Sequence, residues 1–180
     1  LSACLSEQLG TSVAVTLLDK NDSFVFGYSK FEVLFGRQPM EAVRLPYSTF
    51  AKPGVRLLQE EVKAIDPVAR RVTTNAGVHE ADYLVIAMGA DYDPAATPGL
   101  IEHGNDFYSL DGVQKLRERL PAFQGGRVVI GMAAWPVKCP PAPSECALMM
   151  HDYLSARGLR DKSDITLVVP MAAPVPPSPD

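Results

Sequence analysis

The sequence predicts an α/β protein with a Rossmann-like parallel core and an antiparallel insertion. Three observations carry this: short apolar, β-branched runs that stop at Asp19, Gly89 and Gly131, segments of helical spacing between them, and a hairpin signal at Asn75-Ala76-Gly77.

Taken in order, Ser2 to Leu9 reads as the end of an amphipathic helix with Leu5 and Leu9 on one face, closed by Gly10. Ser12 to Leu18 is a nearly unbroken apolar run, as expected of a parallel strand covered on both faces, and it ends in Asp19. From Lys20 to Gly54 aromatic residues alternate irregularly with turn formers, which predicts loops that serve a site or cover a core. Val55 to Ile65 reads as two short strand pieces, Asp66-Pro67 as a turn, and Arg71 to Thr74 with Val78 to Glu80 as a hairpin about Asn75-Ala76-Gly77. Asp82 to Gly89 predicts a buried strand running into a glycine. Asp111 to Phe123 has helical spacing at Val113, Leu116 and Leu120. Arg127 to Gly131 is a further buried strand, the proline-rich stretch from Trp135 to Pro143 a loop, Ser144 to Arg157 a helix and Ile165 to Val169 a last strand.

Composition narrows the function. With 17 Lys+Arg against 21 Asp+Glu the net charge is −4, and 47% of the 180 residues are hydrophobic, which argues against a disordered chain and a basic nucleic-acid binder. The longest apolar stretch, Val128 to Val137, is half of the ~20 residues that a membrane helix needs. Cys4, Cys139 and Cys146 are too few for a disulfide scaffold and odd in number, which with the absence of a leader-like segment points to a reducing, cytoplasmic setting. The three histidines show no metal-ligand spacing, and Glu60-Glu61 reads as a solvated edge. Leu1 in first place and the proline-rich end from Pro174 to Asp180 suggest a piece of a longer protein.

A dinucleotide-binding unit needs a glycine-rich turn so that backbone N–H groups can approach a pyrophosphate, and no G-x-G occurs here. Asp19 nevertheless stands where a ribose-binding acid belongs, at the end of the strand after the first helix. Leu17-Leu18-Asp19-Lys20, Asp82-Tyr83-Leu84-Val85-Ile86-Ala87-Met88-Gly89-Ala90 and Thr97-Pro98-Gly99 resemble landmarks of the FAD domain in the pyridine nucleotide-disulfide oxidoreductase superfamily. Trp135 to Glu145, with its Lys138-Cys139-Pro140-Pro141-Ala142-Pro143 core, resembles the cysteine segment of sulfide:quinone oxidoreductases and the flavin subunit of flavocytochrome c sulfide dehydrogenase.

That resemblance implies a Rossmann-like FAD-binding domain over residues 1–105, lacking its first strand and glycine-rich loop, and the start of a second dinucleotide-binding-like domain over 106–180 that carries the Cys139 loop. It implies FAD as cofactor, with Asp19 on the ribose, backbone groups of Val62 toward adenine, Ala87, Met88 and Gly89 near the pyrophosphate, and Lys30 in a segment passing near the flavin; the alternative for Lys30 is a solvated lysine. Cys139 becomes the candidate catalytic thiol, acting as a thiolate, a form that Lys138 would favour if its ammonium points inward. Cys146 is a rival if it lies in the first turn of a helix capped by Ser144, but its spacing with Met149, Met150, Tyr153 and Leu154 places it on the buried stripe. The implied activity is oxidation of sulfide or a related thiol or sulfur substrate, with electrons passing through flavin to a quinone or other acceptor. The implied whole protein is peripheral to the inner membrane if that acceptor is a quinone, and a homodimer is left open. The alternatives are an NAD(P)H-oxidising flavoprotein, disfavoured because Gly131-Met132-Ala133-Ala134-Trp135-Pro136 stands where a second glycine motif belongs, and a truncated non-catalytic α/β module.

Overall fold

Strand pairing organises the chain around two short parallel ladders. A computed structural model describes residues 1–135 and 137–170, so Pro136 and the proline-rich end from Pro174 fall outside the described residues. The chain divides into two compact units, one formed by Leu1–Phe26 and Glu41–Tyr92, the other by Gly27–Met40 and the chain from Asp93 onward.

In the first unit, helix α1 (Ser2–Leu9) leads through a 3₁₀ turn into strand β1 (Val15–Asp19). Strand β1 runs parallel to β4 (Val55–Gln59), with Val15 opposite Val55 and Asp19 opposite Gln59. The Ser6 hydroxyl donates to the Pro53 carbonyl at 2.7 Å and ties α1 to the approach to β4. Between these strands a short antiparallel pair forms from β2 (Ser23–Val25) and β3 (Arg44–Pro46). The insertion is a three-stranded meander, β5 (Val62–Asp66), β6 (Arg71–Thr74) and β7 (Val78–Glu80), turning at the residues expected from the hairpin signal.

Two sequence expectations fail in this unit. The run from Asp82 to Gly89 forms no strand: Val85, Ile86 and Met88 are each more than half exposed, and Tyr83 is 90% exposed. An apolar run becomes a strand only where an edge receives its N–H and C=O groups, and no ladder among the described residues does so. Strand β1 begins at Val15 rather than Ser12 and is not covered on both faces, since Leu17 is 38% exposed.

In the second unit, β8 (Gly126–Gly131) runs parallel to β9 (Ser163–Val168), with Val128 opposite Ile165. Helix α5 (Ala142–Ala156) packs on both, burying Cys146, Met150 and Leu154 at the helical spacing read from the sequence. Helix α2 (Ser29–Leu34) lies in the stretch expected to be loop. It packs on α4 (Leu110–Arg119) and buries Phe31, Val33 and Leu34. Six residues cannot sustain a helix in water, so this burial, worth roughly 1.5–3 kcal/mol per large side chain, is what holds it. A one-turn helix, α3 (Leu100–His103), precedes α4. Ser109 caps α4 by accepting the Gly112 N–H at 2.9 Å, and the helix ends in a 3₁₀ turn at Leu120–Ala122. No helix among the described residues is long and apolar enough to cross a membrane.

Candidate functional site

The residues singled out from the sequence are divided between the two units, with Asp19, Val62, Ala87, Met88 and Gly89 in the first and Lys30 and Cys139 in the second. In the first unit, Asp19 ends β1 at the carboxyl edge of the parallel pair, the edge at which α/β sheets receive ligands. Its Oδ1 accepts the Asn21 backbone N–H at 2.9 Å and the Asn21 side-chain amide at 3.0 Å, which turns the chain away from the strand. Its Oδ2 accepts the Tyr47 hydroxyl at 2.7 Å. Burial, and then the hydrogen bond and charge of Asp19, push the Tyr47 phenol up to about 12, so it remains a donor through the ordinary pH range. A carboxylate offers about four acceptor directions. Asn21 and Tyr47 occupy three, which leaves Asp19 able to take one further donor such as a sugar hydroxyl.

Val62 opens β5 opposite Thr74, beside a bulge before Ala64. Next to it, Glu60 departs from the solvated edge expected of it. Its side chain is 14% exposed, and its Oε2 accepts the Thr74 hydroxyl at 2.5 Å and lies 2.7 Å from His79 Nε2. Those two bonds hold the Glu60 carboxyl below the ordinary carboxylate range. Glu61 does face solvent, paired with Lys63 at 2.6 Å. Ala87, Met88 and Gly89 lie in the exposed segment that forms no strand, with Gly89 at φ 71°.

In the second unit the structure brings Lys30, Tyr108 and Cys139 together. Lys30 stands on α2, not in a loop, and its half-buried ammonium donates to the Tyr108 carbonyl. Burial, and then the Lys138 charge, lower its pKa, while Asp106 acts in the opposite sense. Asp106 accepts the backbone N–H groups of Tyr108 and Ser109 at 2.5 and 3.1 Å, fixing the turn that enters α4. This turn needs a glycine at 112, where a Cβ would sit 2.3 Å from the Asp106 carbonyl oxygen. The Tyr108 ring stacks on Phe107 at 5.3 Å, and Phe107 meets Phe31 of α2 at 5.6 Å. The Tyr108 hydroxyl then donates to the Cys139 carbonyl at 3.3 Å.

Cys139 is partly buried and has φ 51°, a left-handed conformation that it shares, among described non-glycine residues, with Arg70 alone. Arg70 lies in the turn that joins β5 to β6, where such angles are ordinary. Cys139 instead precedes Pro140, whose ring further restricts the residue before it. Strain of this kind costs on the order of 1–3 kcal/mol and gathers at functional sites. Cys146 is the fifth residue of α5, not in its first turn; Pro141 occupies the N-cap and Ser144 lies inside the helix. Cys146 is 2% exposed, and burial pushes its thiol up to about 12.

Tyr47 and Tyr108 were not singled out from the sequence. Their partners lie 28 and 31 residues away, beyond the reach of any local pattern.

No protein-family model matches the chain. The sulfide-quinone reductase of Aquifex aeolicus is 30% identical over 158 residues, covering 86% of this chain and 36% of that protein. The crystal structure of the sulfide:quinone oxidoreductase from the same organism superposes with a TM-score of 0.82 at 27% identity, over 93% of this chain and 39% of that one. The type II NADH:quinone oxidoreductase of Staphylococcus aureus is 30% identical over 116 residues, 63% of this chain and 28% of the relative. The chain thus spans well under half the length of the relatives it matches.

Proposed function

We propose that this chain, which belongs to the FAD-dependent pyridine nucleotide-disulfide oxidoreductase superfamily, carries part of the flavin site and the reactive thiol loop of an enzyme that oxidises sulfide or a related sulfur compound and delivers the electrons to a quinone. The observation that carries the reading is Cys139, a strained, partly buried cysteine on the loop between β8 and α5, inside a similarity to a sulfide-quinone reductase that covers 86% of the chain.

In this reading residues 1–105 contribute to FAD binding. Asp19, with one acceptor direction left, takes a ribose hydroxyl, and the backbone at Val62 and at Ala87, Met88 and Gly89 lies along the rest of the nucleotide. Residues 106–180 bring the thiol loop, with Lys30 beside it. Cys139 acts as a thiolate that takes up the sulfur atom. Hydrogen sulfide anion joined to that thiolate as a persulfide releases one proton and two electrons, and bound flavin supplies the two-electron acceptor. Because its acceptor dissolves in lipid, the whole enzyme works at a membrane face.

A second reading, oxidation of NAD(P)H, is favoured by the similarity to the type II NADH:quinone oxidoreductase. One experiment separates them. The flavin-loaded protein is mixed anaerobically with sulfide or with NADH, and bleaching of the flavin band is followed. The sulfur reading expects bleaching by sulfide that is lost in Cys139→Ser and retained in Cys146→Ala. Bleaching by NADH alone, indifferent to Cys139→Ser, would establish the second reading instead.

A further inference from the structure

We propose that Tyr108 is a positioning residue for Cys139, its hydroxyl holding the cysteine in the left-handed backbone conformation that presents the thiol. The inference rests on Cys139 being the reactive thiol, and it adds the residue that orients it.

A cysteine before a proline prefers extended backbone, so the φ of 51° at Cys139 must be imposed by its surroundings. Two donors converge on its carbonyl oxygen. The Ala142 N–H reaches it at 3.0 Å and closes the turn that begins α5, and the Tyr108 hydroxyl reaches it at 3.3 Å. The first is local and turns with the loop. The second comes from a fixed point elsewhere in the same unit. The Tyr108 backbone is held by the Asp106 carboxylate on its N–H and by the Lys30 ammonium on its carbonyl, and its ring is stacked on Phe107. A donor so anchored can oppose relaxation of the Cys139–Pro140 peptide, and a change in that peptide plane would re-aim the thiol.

The test uses Tyr108→Phe, which keeps the ring and removes only the hydroxyl, and Phe107→Leu, which disturbs the stack without removing that hydroxyl. Hydrogen exchange at the Ala142 amide reports whether the Cys139 carbonyl is still held. In the flavin-loaded protein, the limiting rate and half-saturating concentration for sulfide-driven flavin reduction report how the thiol is presented. The expected result for Tyr108→Phe is exchange at Ala142 faster by roughly threefold to tenfold, the scale of one net hydrogen bond. The limiting rate falls by a similar factor at unchanged half-saturation. Unaltered exchange at Ala142, an unaltered limiting rate despite faster exchange, or a larger effect in Phe107→Leu than in Tyr108→Phe would each overturn the proposal. Full sulfide-driven bleaching in Cys139→Ser, or a chain that takes up no flavin, would instead sink the functional reading, and the exchange measurement would still decide whether Tyr108 holds the loop.

Discussion

The Tyr47 hydroxyl donates to Asp19 Oδ2 at 2.7 Å and so joins the end of β1 to the 3₁₀ turn that follows β3. Burial is the first cause of the raised Tyr47 pKa and Asp19 the second. Asp19→Asn is therefore expected to lower the phenol midpoint from about 12 part of the way toward its usual value near 10, read by phenolate absorbance. A raised folded-state pKa contributes stability that is complete below about 10 and is lost as pH rises toward about 12. Thermal unfolding across that window should thus show a steeper alkaline loss in the parent than in Tyr47→Phe. A midpoint unmoved in Asp19→Asn would mean that burial alone sets it.

Glu60 gives the meander an acid-side dependence. Its carboxylate is held low by the Thr74 hydroxyl and then by His79. A depressed folded-state pKa contributes stability above the unfolded carboxylate value, and that contribution disappears as pH falls through the folded one. Melting temperature against pH should therefore drop less on acidification in Glu60→Gln than in the parent. Parallel curves for the two proteins would refute the role of this carboxylate.

Gly112 lies inside α4, where alanine is intrinsically better by about 1 kcal/mol. The contact with the Asp106 carbonyl reverses the sign. A Cβ at 2.3 Å from a backbone oxygen forces the turn to move, and overpacking of this kind costs about 1–3 kcal/mol. Urea unfolding of Gly112→Ala should show a lower midpoint than the parent at an unchanged slope. A stabilised variant would mean that the Asp106 turn yields freely.

Local signals in the sequence account for the elements whose partners are near or whose pattern is regular. The β6–β7 hairpin turns where Asn75-Ala76-Gly77 predicts, and the buried stripe of α5 follows the spacing from Cys146 to Leu154. Helix α2 escaped because its Ser29–Leu34 segment is too short for a periodic signal and exists through packing on α4. Asp82 to Gly89 misled for the converse reason: its apolar order is that of a strand, but strandedness belongs to a pair. In the candidate site, motif and position singled out Asp19 and Cys139 as the residues proposed for cofactor and sulfur chemistry. Tyr47 and Tyr108, which donate hydrogen bonds to them from 28 and 31 residues away, leave no spacing to read.

The three thiols should react in an order set by burial. Cys4 is exposed, Cys139 partly buried and Cys146 2% exposed, with its thiol pushed up to about 12 by burial first and the Glu145 charge second. Alkylation requires both access and thiolate, and at neutral pH a group titrating near 12 holds about one part in 10⁵ as thiolate. Native protein treated with iodoacetamide should therefore carry label at Cys4 and Cys139 but not at Cys146, as read by peptide mass spectrometry. Full labelling at Cys146 should require denaturant. Its volume matters as well as its silence, because the side chain fills space under α5 beside Met150 and Leu154. Cys146→Ser places a hydroxyl there and should destabilise by about 1–3 kcal/mol, whereas Cys146→Ala loses less than that. Labelling of Cys146 in the native protein at a rate comparable with Cys139 would show that this helix opens well below global unfolding, and would return Cys146 to the candidates for chemistry.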